Sequence, residues 1–188
     1  MSRKLTALLL IALMGLSLVA CGSKPAMSAA VRGPETDNGI IYFDEEAVAL
    51  VGSVQDANMT DAEKERAVEL RAIAVAAFDL ANAKRAEGGL TPFDWNDGLE
   101  TCAQVRATEI VGTFSHTRPN SSDWWTVDST LMWGENLAKG YNDAESLVDA
   151  WMNSPTHAAN ILDGGFTSCS IAVYEADGKL FFAQEFGY

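Results

Sequence analysis

Basic residues are scarce in this 188-residue chain: 13 Lys and Arg stand against 26 Asp and Glu, a net charge of −13. A phosphate backbone or an anionic membrane surface is a poor partner for such a protein, which excludes the nucleic-acid binders. A cation, or a basic wall or peptide surface, is attracted instead. Histidine is scarcer still, with two copies, and cysteine has three. Multi-cysteine metal ribbons and dense disulfide scaffolds are therefore excluded. The chain shows no internal repeat, no low-complexity tract and no apolar run of the ~20 residues that a helical membrane span needs. What remains is globular: 48% of residues are hydrophobic and 21% charged, enough for one domain with additions at its ends.

The N-terminus is the first addition. Arg3 and Lys4 precede sixteen uncharged residues, Leu5 to Ala20, the pattern of a secretory signal. Leu18-Val19-Ala20-Cys21 resembles a bacterial lipoprotein box. That resemblance implies cleavage before Cys21, a lipidated Cys21 and attachment to the outer face of the cell membrane through several acyl chains. Losing the signal removes Arg3 and Lys4 and no acid, so the mature charge approaches −15. Residues 21–38, with Pro25, Gly33 and Pro34, have the composition of a tether. Residues 39–60 form an N-terminal extension; Ile40 to Phe43 and Ala47 to Val51 are apolar enough to pack as a short strand and a helical turn. With Cys21 lipidated, Cys102 and Cys169 remain as a pair in an exported chain. A disulfide between them is the expectation, with two buried free thiols as the alternative.

From residue 61 the pattern is helical. Thr60-Asp61-Ala62-Glu63 is a capping box, and the helix it opens should run to about Glu87 before Gly88 and Gly89, with Leu70, Ile73, Ala77, Leu80 and Ala81 inward. Leu90 to Trp95 reads as an extended link. A second helix runs from Asn96-Asp97 to Gly112, with Leu99, Ala103, Ala107 and Ile110 on one face. Asn142-Asp143-Ala144-Glu145 caps a third, with Ala144, Leu147, Val148 and Trp151 inward. Ser154-Pro155 starts a short fourth. The period then changes: residues 170–174 and 180–183 flank Asp177-Gly178, a hairpin signal. Helices followed by strands suggest a mixed architecture containing an antiparallel sheet.

Both histidines fall between Phe114 and Leu162, with Gly134-Glu135-Asn136 between them, read as a turn. Two imidazoles and a carboxylate are a recurrent set for zinc or another divalent cation, and the same trio can hold and shuttle a proton. Each has a plainer role: His116 capping a loop carbonyl, His157 satisfied on a helix, Glu135 bonding turn amides. The residues lie 19 and 22 positions apart, so no local spacing forces them together.

The order of several short motifs resembles the CAP superfamily (the cysteine-rich secretory, antigen 5 and pathogenesis-related proteins), and its bacterial branch in particular. They are Asn82-x-x-Arg85 with Gly89-Leu90-x-Pro92, Phe114-Ser115-His116, Gly134 to Ala138, and Trp151 to Pro155 with His157 and Asn160-Ile161-Leu162. The resemblance covers residues 61–188 and implies an α+β fold: a three-layer α-β-α sandwich with a central antiparallel sheet. In that family two His and two Glu line a cavity that can hold a divalent metal. His116, Glu135 and His157 match three of them, while Ser154 stands where the second Glu is expected. The implied role is a membrane-anchored binding or interaction module with a lipid, protein or cell-envelope partner, and more a binder than an enzyme. Two alternatives stand beside it. One is a hydrolase, metal-dependent or built on Ser115 with His116 or Ser154 with His157, although no nucleophile elbow is present. The other is a structural envelope protein whose polar cluster holds no ligand.

Overall fold

The structure is a computed structural model that describes residues 36–37, 40–41 and 59–188. The signal segment, Cys21, most of the tether and most of the extension, including Ala47 to Val51, lie outside the described residues. Within the tether and extension, β1 (Thr36–Asp37) and β2 (Ile40–Ile41) pair as an antiparallel ribbon.

α1 (Asp61–Glu87) begins at the capping box foreseen: the Thr60 hydroxyl accepts from the Glu63 amide at 3.3 Å, and the Glu63 carboxylate accepts from the Thr60 amide at 2.7 Å. Its innermost face is small, with Ala74, Ala77 and Ala81 buried, so the helix axis lies close to the sheet. Leu70, Ile73 and Leu80 pack against the same cluster from its margins. Near its end, Arg85 is fully buried and donates to the carbonyls of Thr91, Ile161, Asp163 and Phe166. Asn82 exchanges two hydrogen bonds with the Phe93 backbone. The Asn82-x-x-Arg85 motif is thus a clamp that ties α1 to the loops around it.

The sheet follows the order β3-β5-β6-β4, built from β3 (Asp94–Trp95), β4 (Gly134–Lys139), β5 (Ser168–Ala176) and β6 (Lys179–Gly187). β5 and β6 form the expected hairpin, closed by Asp177 and Gly178 at φ 50° and 68°, the pair of positive angles that a two-residue hairpin turn needs. β4 runs antiparallel to β6, whereas β3 runs parallel to β5 over two residues, so the sheet is mixed rather than purely antiparallel. Gly134-Glu135-Asn136 is not a turn: it opens strand β4. A Cβ on Gly134 would come within 2.9 Å of the Phe166 ring, so any larger residue would have to displace that ring.

Helices cover both faces. α1, α3 (Ala144–Met152) and α4 (Pro155–Ile161) share a core with Cys169, Ile171, Val173, Phe182 and Phe186. α2 (Asp97–Gly112) packs Ala103, Ala107 and Ile110 on Leu137, Ala172, Phe181 and Ala183. Consecutive strand residues alternate between these layers, which is why β5 and β6 read as nearly continuous apolar runs. The three-layer α-β-α sandwich expected from the sequence is the architecture found.

The expected Cys102–Cys169 disulfide is not formed; both cysteines are buried free thiols. Cys102 sits with Leu99 and Met132, while Cys169 belongs to the separate cluster under α1 and α3, where its sulfur accepts from Gln184 Nε2 at 3.4 Å. The absence of any other cysteine to pair with was not enough to join them, because the strand's alternation sends Cys169 to the other layer.

Candidate functional site

β4 is the outer strand on one side of the sheet, and the candidate site is built around it. On the α2 face, Glu135 is 5% exposed and Arg106, from α2, is 0% exposed. Arg106 donates to both Glu135 oxygens, from Nε at 2.7 Å and from a terminal nitrogen at 3.3 Å. Its other contacts are Glu109 at 2.6 Å and the Ser115 carbonyl at 2.8 Å. The last contact fixes the loop that carries His116. His116 Nδ1 lies 2.6 Å from Glu135 Oε1, so the carboxylate orients the ring and leaves Nε2 to face outward from a side chain that is 58% exposed.

The partner of Glu135 across the β4–β6 ladder is Glu185, fully buried, with neither carboxylate oxygen bonded to a donor among the described residues. Burial foremost, then the adjacent negative charge of Glu135, pushes the Glu185 carboxyl well above the ordinary carboxylate range. Both effects favour its neutral form.

The opposite face of β4 carries an amide network. Asn136 donates to Gln184 at 2.9 Å and to the His157 carbonyl at 3.1 Å. Asn160, on α4, reaches the Asn136 side chain at 2.9 Å and the Glu135 carbonyl at 3.2 Å. Trp151 Nε1 approaches the Leu137 carbonyl at 3.5 Å. Alternate outward carbonyls of the edge strand are thereby satisfied by side chains from α3 and α4. His157 stands on this face; burial first, and then nearby His116, hold its imidazole below the usual histidine range. The two histidines therefore flank one strand edge from opposite sides.

Glu135 is less a ligand than the sequence suggested, since Arg106 and His116 engage both its oxygens. Among the described residues no group of three His, Cys, Asp or Glu side chains is arranged to hold a metal ion. A three-ligand centre of His116, Glu135 and His157 does not fit this geometry, and two imidazoles remain as donors. Ser154 occupies a helix-cap position, and its hydroxyl lies 3.4 Å from that of Thr156. The Ser115 hydroxyl accepts from the Thr117 amide. The second carboxylate of the cluster is Glu185, which sequence reasoning missed along with Arg106. Both carried a signal: a lone charge within an otherwise apolar face, of the Phe181-Ala183 strand stripe and of the Ala103-Ala107 helix stripe.

A three-layer α-β-α sandwich around a mixed four-stranded sheet defines the class of fold. The model of the cysteine-rich secretory protein (CAP) family matches residues 78–186, and the chain belongs to that family. It is 30% identical over 116 residues to the uncharacterised protein YkwD of Bacillus subtilis, covering 58% of this chain and 45% of that one. The chain thus spans about half the length of this relative. Among solved structures, an extracellular SCP-domain protein of Bacillus anthracis superposes with a TM-score of 0.59 at 23% identity, over 69% of this chain and 44% of the other. An outer surface protein of Borrelia burgdorferi gives 0.51 at 20% identity, over 58% of this chain and 87% of its own.

Proposed function

We propose that this protein is an exported CAP-domain lipoprotein, held through Cys21 at the outer face of the membrane, that works as a binding or interaction module for a lipid, protein or cell-envelope partner. The N-terminal pattern and the extracellular and outer-surface relatives support the address. One observation carries the site: His116 is oriented by a buried, arginine-backed carboxylate while most of its ring stays in solvent. A carboxylate behind Nδ1 raises the basicity of Nε2, the usual preparation of an imidazole for a cation. His116 and His157 are the residues that would hold a divalent cation such as zinc, with Glu135 behind His116 rather than on the ion. A bound cation there would supply a charged anchoring point for the partner.

The test is a calorimetric zinc titration of the chain at pH 7.5 and 5.5, beside the His116→Ala/His157→Ala double variant. One equivalent is expected to bind at pH 7.5, more weakly at pH 5.5 as the imidazoles protonate, and not in the double variant. Equal heats in both proteins would remove the metal from the reading. The Arg106–Glu135–His116 chain of contacts favours a second reading, a purely structural network. In that case His116→Ala lowers the melting temperature while zinc leaves it unchanged.

A further inference from the structure

The two margins of the sheet are treated differently. The β4 margin is capped by Asn160 and Trp151 and flanked by the histidines. At the other margin β3 pairs only with Ser168 and Cys169 of β5, and then turns away into α2. Among the described residues no strand pairs with β5 beyond Cys169 on that side. A groove of about 860 Å³ runs along this stretch. Its floor is five consecutive residues, Ile171 to Glu175. A groove on a face of a sheet would touch alternate residues; five in a row means that it meets the strand edge-on, where backbone N–H and C=O groups point outward. Its walls are Arg66, Leu70 and Arg71 of α1 and Glu100, Thr101 and Gln104 of α2.

We infer that this groove is a docking site for an extended, basic segment of a partner protein, which adds to β5 as a further strand. The mode is strand addition, in which main-chain hydrogen bonds supply affinity and the walls supply selection. Two observations choose the occupant. The edge is recessed: the Arg71 and Glu100 side chains meet at 2.9 Å across the groove from its two walls, a bridge that an incoming strand must displace. A second copy would bring its own α1 and α2 against these walls, whereas a single extended segment brings none. The lining is acidic as well, with Glu63, Asp97, Glu100 and Glu175 against Arg66 and Arg71. Arg66 pairs with Glu175 and Arg71 with Glu100, which leaves Glu63 and Asp97 as the unbalanced charges of the lining. The inference does not depend on the histidine pair, which lies at the other margin and is probed by zinc rather than by peptide.

The test is amide hydrogen exchange of the full chain, alone and with a blocked peptide Lys-Val-Thr-Val-Lys-Val-Thr-Val-Lys. Exchange at alternate amides between Ile171 and Glu175 is expected to slow at least tenfold with saturating peptide. The effect should vanish when alternate peptide nitrogens are methylated, and binding should weaken at least tenfold when the lysines become glutamates. Gln104→Trp, at an exposed wall position, should abolish it without altering exchange in β6. No slowing, or slowing that survives methylation, overturns the proposal. So does an edge already slow without peptide: its own N-terminal residues would then be the occupant, or a second copy if the slowness fades on dilution.

Discussion

At residue scale the decisive side chain is Glu185. A carboxyl whose folded pKa is raised above its unfolded value binds more protons in the native state than in the unfolded one. Stability is then greatest below the unfolded pKa of ~4.3 and falls as pH rises toward the folded pKa, by up to ~1.4 kcal/mol per pH unit from this one group. Glu185→Gln keeps the shape and removes the titration. The variant should match the native chain in urea melts at pH 4 and exceed it increasingly at pH 6 and 8. Equal pH profiles would mean that Glu185 ionises freely in the fold. His116, Glu135 and His157 were legible because they sit in recognisable motifs. Glu185 and Arg106 were not, because their meaning is relational. A charge on an apolar face is an error or half of a pair, and only the fold shows that Arg106 pairs with Glu135 while Glu185 faces it across the β4–β6 ladder.

At the scale of elements, local chemistry was read well where a cap or turn is closed by neighbours in sequence. α1, α2 and the β5–β6 hairpin are such cases. It was read poorly where an element depends on distant partners: β4 exists because β6 pairs with it, and Gly-Glu-Asn has no strand signature of its own. Asn142-Asp143 shows the intermediate case, since the cap is real but belongs to Asp143, whose carboxylate accepts from the Ser146 amide at 2.7 Å. The caps also separate two serine or threonine roles. Thr60 makes a reciprocal capping box, whereas the Ser154 side chain makes no capping hydrogen bond. Thr60→Ala should lower the melting temperature by roughly 2–4 °C, and Ser154→Ala by under about 1 °C. A large loss at Ser154 would show that its hydroxyl has a partner beyond Thr156.

At the scale of the whole molecule, the sandwich is held by two apolar layers on one sheet, and its cysteines are divided between clusters rather than joined. A chain of this size with one covalent cross-link would gain ~2–4 kcal/mol from it. This one has none between its two described cysteines, and its stability must come from the alanine-faced helices packed on β5 and β6. Cys169 is fully buried in an apolar surround that pushes its thiol far above the ordinary range, so it holds its proton and does not react as a thiolate. The expected outcome is that millimolar dithiothreitol shifts the melting temperature by less than about 1 °C. A chain that relied on the bond would lose roughly 4–16 °C. A thiol-specific reagent should reach Cys102 and Cys169 only after urea unfolds the protein, because Cys102 on α2 is buried against Met132 and Cys169 lies in the core under α1 and α3. Rapid labelling of Cys169 in the native state would mean that the α1 layer lifts from the sheet, and with it the wall that encloses the β5 edge.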